Sequence, residues 1–166
     1  MKIKVCGISK KIELETCLSN DVDYCGFILN YPKSHRYINF DQAQNLININ
    51  KKKSKYVGVL VNPNIKELEN FSKLDLDYFQ LYGNYNSKNL IQIKEKYKKK
   101  IIACIQVENK KDILNYKKIE SGSDIILWDS SGYEKSLSWD YSWIKSISTN
   151  VQKMIAGNIT SNKIKD

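Results

Sequence analysis

Short apolar runs rich in β-branched and aromatic residues recur along the chain, separated by longer lysine-rich stretches with helical spacing. This alternation limits the possible folds more than any single motif does. Strand candidates are Ile3–Ile8, Tyr24–Leu29, Tyr56–Val61, Tyr78–Leu81, Ile101–Ile105, Ile125–Trp128 and Lys153–Ala156. Helix candidates lie near Lys11–Asn20, Asp41–Ile49, Ile65–Lys73, Ser87–Tyr97, Lys110–Lys118 and Tyr141–Ser148, and another helix begins after Ile159. Asp41 and Ser87 stand where N-caps are expected. Alternating β and α segments imply parallel strands with right-handed crossovers, and near-continuous apolar strands imply a sheet covered on both faces. An open doubly wound sheet and a closed (β/α)8 barrel both satisfy these rules. No G-x-G-x-x-G follows the first strand, which weakens the dinucleotide-binding open sheet.

Composition narrows the function classes. The 166 residues contain no linker or charge block that would divide them, so one domain over 1–166 is expected. No run approaches ~18 apolar residues, and Met1-Lys2-Ile3-Lys4-Val5 lacks the apolar core of a secretory signal. A cytoplasmic protein without membrane contact is the expectation. Net charge is +9, yet of 27 basic residues only Arg36 is an arginine. Nucleic-acid sites favour the bidentate guanidinium, so the lysines read as a solvated surface and no nucleic-acid partner is expected. The cysteines at 6, 17, 25 and 104 form no C-x-x-C pair, and a single histidine leaves no zinc pattern. Cys25 and Cys104 fall in apolar runs and read as buried thiols.

Polar and small residues gather just after the strands. Cys6-Gly7 ends the first, Asn30 to Tyr37 follows the second, and Asn62-Pro63-Asn64 follows the third. Gln80-Leu81-Tyr82-Gly83 ends the fourth, Asp129-Ser130-Ser131 the sixth and Gly157-Asn158 the seventh. Chemistry at the C-terminal ends of several strands is the mark of a barrel. Taken singly, these residues have ordinary readings. Asp129 reads as a turn residue bonding nearby amides, Cys6 as a buried thiol and Arg36 as an exposed loop residue. His35 reads as surface.

In order, the segments are similar to a known family. Lys2-Ile3-Lys4-Val5-Cys6-Gly7-Ile8 resembles the opening K-(I/V)-C-G-(I/L) of phosphoribosylanthranilate isomerases. Gly26-Phe27-Ile28 through Tyr31-Pro32-Lys33-Ser34-His35-Arg36-Tyr37-Ile38 resembles the family's G-F-x-F-x-x-x-S-P-R-x-(I/V), with His35 for proline. Val57-Gly58-Val59-Leu60-Val61-Asn62 is similar to V-G-V-F-V-N, and Gln80-Leu81-Tyr82-Gly83 to Q-L-H-G. Leu127-Trp128-Asp129 is similar to L-L-D, and Ala156-Gly157-Asn158-Ile159 to A-G-G-L.

The resemblance implies an α/β fold of the (β/α)8 TIM-barrel family and an Amadori rearrangement. That reaction turns N-(5-phosphoribosyl)anthranilate into 1-(o-carboxyphenylamino)-1-deoxyribulose 5-phosphate in tryptophan biosynthesis. It needs one proton donor and one acceptor and no metal or other cofactor. By the resemblance Asp129 is the general acid and Cys6 the general base. Arg36 holds the anthranilate carboxylate, for which a guanidinium fork is suited. Gly7 and Gln80 are further substrate contacts. Gly157 and Asn158 belong to the phosphate site, and Lys135, in the place of the family's Gly-rich loop, approaches the phosphate. The partner implied is the small phosphosugar-anthranilate substrate, with the chain a monomer or homodimer.

Two departures stand out. Tyr82 replaces the family's histidine. The family pattern also continues into an eighth strand with a phosphate-holding loop, so a barrel of about seven parallel strands without an eighth βα unit is expected. A fragment of a longer protein is the reading, or a missing strand supplied by a partner. Two alternatives remain: another phosphosugar barrel isomerase, or an inactive barrel fragment with only binding or structural properties. The related histidine-pathway isomerase uses paired aspartates at strands one and six, and Cys6 stands at the first of those positions.

Overall fold

The computed structural model describes residues 1–131 and 137–163. Its strands are β1 (Lys4–Cys6), β2 (Tyr24–Ile28), β3 (Lys55–Val61), β4 (Tyr78–Tyr82), β5 (Lys100–Val107), β6 (Ile125–Ser130) and β7 (Gln152–Ile155). They form one parallel sheet in chain order, β1 to β7. Among the described residues β1 and β7 are not paired with each other. Helices α1 (Lys11–Ser19), α2 (Phe40–Ile47), α3 (Ile65–Ser72) and α4 (Ser87–Tyr97) fill the first four crossovers. The sheet curls, because residues of all seven strands line a single cavity. The fold is α/β, of TIM-barrel type.

Side chains alternate along each strand, so the sheet has two apolar faces. Outward residues such as Phe27, Leu60, Phe79, Ile101 and Trp128 are fully buried under the helices. Inward residues such as Tyr24, Val59, Tyr78, Ile102 and Leu127 form a second cluster inside the curl. Three aspartates pin the N-terminal ends of the strands. Each precedes an even-numbered strand and accepts a backbone N–H at or beside the start of the strand before it. Asp23 takes Ile3 N–H at 2.8 Å, Asp77 takes Tyr56 N–H at 2.8 Å and Asp124 takes Ile101 N–H at 2.8 Å. Lys94 pairs with Asp124 at 2.7 Å, and Lys51 with Asp77 at 3.2 Å. These contacts lie at the end of the sheet away from Cys6 and Asp129.

Several sequence expectations need correction. The first strand is shorter than Ile3–Ile8, because Gly7 turns the chain into the left-handed region at φ 81°. The segments Lys110–Lys118 and Tyr141–Ile144 wind as 3-10 rather than α helices. The buried residues of the first segment explain its winding. Ile113, Tyr116 and Ile119 are spaced by three, matching the three residues per turn of a 3-10 helix. Among the described residues, a 3-10 turn at Ser161–Lys163 follows Ile159. The caps also differ. Asn39, not Asp41, caps α2, accepting from Gln42 N–H at 2.9 Å while Gln42 Oε1 accepts from Asn39 N–H at 3.0 Å. Asn86, not Ser87, caps α4 through Asn89 N–H at 2.9 Å. Asn64 does the same for α3, with Glu67 as its reciprocal partner. An asparagine three residues before a side chain that reaches back satisfies two orphan helix donors at once.

Candidate active site

A cavity of about 840 Å³ lies inside the curl. Its polar lining includes Cys6 at the end of β1, Gln80 and Tyr82 on β4, Gln106 on β5 and Asp129 on β6. Arg36 reaches it from the loop after β2. Cys6 and Asp129, far apart in sequence, therefore face one space. So do Arg36, Gln80 and Gly157.

Cys6 is half-buried at this wall, whereas Cys17, Cys25 and Cys104 are buried. Burial pushes the Cys17 thiol up, Cys25 to about 12, and Cys104 well above its ordinary value. Those three stay protonated and inert. The bareness of Gly26 keeps the space beside Cys6 open. A Cβ there would stand 3.2 Å from Cys6 Sγ and 3.0 Å from Lys4 Nζ. Lys4 thus faces inward two residues before Cys6, a neighbour that period-two alternation would have revealed.

Gly7 is buried and has two duties. It takes a positive φ, and its missing side chain admits Arg36: a Cβ would lie 2.7 Å from Arg36 Cδ and 2.9 Å from Nε. Arg36 Nη1 donates to the Cys6 carbonyl at 3.1 Å, and its backbone N–H donates to the buried Ser34 hydroxyl at 3.1 Å. The guanidinium is thereby fixed beside the cysteine. The close approach to Gly7 is made by this side chain.

Asp129 accepts from Ser130 N–H through Oδ1 at 2.8 Å and from the Tyr82 hydroxyl through Oδ2 at 2.6 Å. Gln80, almost fully buried, donates from Nε2 to the Tyr82 oxygen at 3.2 Å. Burial first, then the nearby Cys104 and Asp129, raises the Tyr82 phenol well above its ordinary range, so it stays a donor. Gly157 adopts a positive φ of 101°, and its carbonyl accepts from the Tyr141 hydroxyl. Asn158, left-handed at φ 47°, is exposed and donates to Ser138 Oγ at 2.9 Å, between Gly157 and Ile159, which line the cavity. Lys135 lies outside the described residues. His35 is exposed, as expected. Among the described residues no group of three or more His, Cys, Asp or Glu side chains is placed to hold a metal.

A family model described as N-(5'-phosphoribosyl)anthranilate (PRA) isomerase matches residues 3–166. The chain belongs to the phosphoribosylanthranilate isomerase family. It is 37% identical to the N-(5'-phosphoribosyl)anthranilate isomerase of Streptococcus mutans over 86 residues, which cover 51% of this chain and 44% of that one. That alignment and the one to the Streptococcus gordonii relative each span under half of the relative's length. Against the Rhizobium etli isomerase the identity is 27% over 172 residues, covering 99% of this chain and 77% of the relative. The crystal structure of phosphoribosyl anthranilate isomerase from Thermotoga maritima superposes with a TM-score of 0.81 at 27% identity, covering 96% of this chain and 78% of that one. A family structure in complex with reduced 1-(o-carboxyphenylamino)-1-deoxyribulose 5-phosphate gives 0.70 at 28% identity, over 87% of this chain and 68% of the other.

Proposed function

We propose that this chain catalyses the Amadori rearrangement of N-(5-phosphoribosyl)anthranilate to 1-(o-carboxyphenylamino)-1-deoxyribulose 5-phosphate. The observation that carries the reading is the meeting of Cys6, Asp129 and Arg36 at one cavity of an isomerase-family barrel. Asp129 gives its proton to the furanose ring oxygen. As the ring C–O bond breaks, the amine lone pair forms the C=N bond. The Cys6 thiolate then takes the C2 proton, and the C–H electrons move toward the iminium to leave an enolamine. Tautomerisation yields the ketone with no net change in protons. The sequence moves protons only, so it calls for no redox group.

Arg36 binds the anthranilate carboxylate, in keeping with its fixed guanidinium at the cavity wall. Gln80 contacts the substrate from its buried place on β4, and Gly7 shapes the Arg36 side of the site. The turn at Gly157 and Asn158 contributes to the phosphate end, as does Lys135. The catalytic unit is a monomer or homodimer. A cytoplasmic location belongs to the same reading; no helix among the described residues is long and apolar enough to cross a membrane.

The test is direct. The purified protein is incubated with N-(5-phosphoribosyl)anthranilate, and substrate and product are separated and quantified. In parallel, its gene is introduced into a tryptophan auxotroph lacking this isomerase. Turnover and growth are expected. Cys6→Ala should lower turnover by about 100-fold or more, the usual scale for a positioned proton-transfer group. Folded wild-type protein with no turnover would sink the reading.

Gly7→Ala tests the seat of Arg36. The new methyl meets the Arg36 stem, and alanine at a left-handed φ costs about 1 kcal/mol. KM should rise about 10-fold or more, the scale of a lost hydrogen bond to a charged group. An unchanged KM would show that Arg36 has another role.

A further inference from the structure

Tyr82 is where this chain departs from the family's pattern, and it touches the carboxyl read above as the acid. Inward side chains of alternate strands share the barrel interior, so a residue on β4 can reach one on β6 past β5. The Tyr82 ring does so. It projects from β4, is almost buried, and brings its hydroxyl to 2.6 Å from Asp129 Oδ2. Gln80, two residues earlier and on the same face, donates to the phenol oxygen at 3.2 Å. A phenol has one proton. With Gln80 Nε2 donating to the oxygen, that proton is directed to Asp129. Oδ1 of the same carboxyl accepts from Ser130 N–H at 2.8 Å. Each oxygen is therefore anchored, one by the backbone and one by the phenol, and the plane of the carboxyl is fixed.

We propose that Tyr82, oriented by Gln80, is a positioning residue that holds Asp129 for proton transfer and stabilises the carboxylate left once the proton is gone. The proposal rests on the isomerase reading for its catalytic half; the contact itself does not. The groups around the phenol fit a neutral donor. They are the Asp129 carboxyl on β6, the Cys104 thiol on β5, Cys6 on β1 and the Gln80 amide on its own strand. Tyr82 thus supplies a hydrogen bond that needs no titration, at a position where the family pattern has a side chain that titrates near neutrality.

Tyr82→Phe keeps the ring and removes the hydroxyl. Its kcat should fall about 10- to 100-fold, the scale of one preorganised donor to a developing charge. KM should stay within about twofold, as expected when an interaction is made mainly in the transition state. Tyr82→His should recover most of the lost kcat. Gln80→Met leaves the phenol present but unoriented, and should give an intermediate kcat; it also serves if Tyr82→Phe does not fold. Wild-type kcat in Tyr82→Phe would overturn the proposal. So would a fall in kcat matched by a lower melting temperature and not recovered by His.

A second readout needs no turnover. In protein carrying 13C at the aspartate carboxyls, the Asp129 resonance, assigned through Asp129→Asn, should move in Tyr82→Phe. It should stay in place in Tyr24→Phe, which alters another inward tyrosine. An unmoved resonance would overturn the contact while leaving the isomerase standing. A resonance that moves in Tyr82→Phe, together with wild-type protein that shows no turnover, would overturn the catalytic half together with the isomerase reading.

Discussion

Asp129→Asn should abolish most activity while leaving the fold intact. Under the isomerase reading, kcat falls by about 100- to 10,000-fold, because a positioned general acid contributes on that scale. Asparagine has almost the same shape and still presents an oxygen to Ser130 N–H, which now bonds Asp129 Oδ1 at 2.8 Å. Its amide can donate to the Tyr82 oxygen, which accepts as well as donates. What asparagine cannot do is release a proton to the ring oxygen. KM should therefore change by no more than about threefold, since the lost interaction belongs to the transition state. Thermal midpoints should nearly coincide, as a half-exposed substitution away from the packed core typically moves stability by about 0.5 kcal/mol or less. Steady-state kinetics beside a melting curve decide the matter. An Asn variant retaining a tenth of wild-type kcat would remove Asp129 from the role of acid and turn attention to Tyr82 as donor.

The contrast between legible and hidden features has a physical basis. Parallel strands covered on both faces must be apolar throughout, so β2 to β6 announce themselves as runs and their order follows from the crossovers. Cys6, Arg36 and Asp129 were visible for a related reason: they interrupt or follow apolar strands at one end. Features made by pairs of residues distant in sequence were not visible. The aspartate pins at Asp23, Asp77 and Asp124 depend on which backbone N–H of the neighbouring strand starts level with each carboxyl, a matter of register. The bond from Tyr82 to Asp129 depends on how tightly the sheet curls. The segment Lys110–Lys118 reads as an α helix because a single three-residue step fits either winding, although over its nine residues the two windings part by about half a turn. Ile113, Tyr116 and Ile119 do carry the distinction. Asp41 and Ser87 are plausible caps by residue type, but they sit one or two residues inside the helices that Asn39 and Asn86 cap.

Trp128, the neighbour of Asp129 on β6, should show the opposite behaviour. Its side chain points to the other face of the sheet, is fully buried and packs 6.2 Å from the Tyr116 ring, centroid to centroid. Its indole N–H donates to the Ile113 carbonyl at 3.2 Å, tying β6 to the 3-10 helix outside it. Trp128→Ala empties that space and should cost about 3–5 kcal/mol, the range for large aromatics in a core. A domain of this size has about 5–15 kcal/mol in all, so the variant stands near the limit of folding. Trp128→Phe separates the contributions. It keeps most of the ring volume but leaves the buried carbonyl unpaired, for a cost of about 1–3 kcal/mol. Urea unfolding should rank wild type above Phe above Ala, with the midpoint falling by correspondingly larger steps. Where enough Trp128→Phe remains folded, its kcat should match wild type within about twofold, because the change lies across the sheet from the reacting groups. Equal midpoints for Ala and wild type would mean that the outer layer is far looser than its burial implies. A Phe variant that is stable but inactive would mean that β6 transmits outer-face packing to the carboxyl of Asp129, and the separation of duties between the two faces would be wrong.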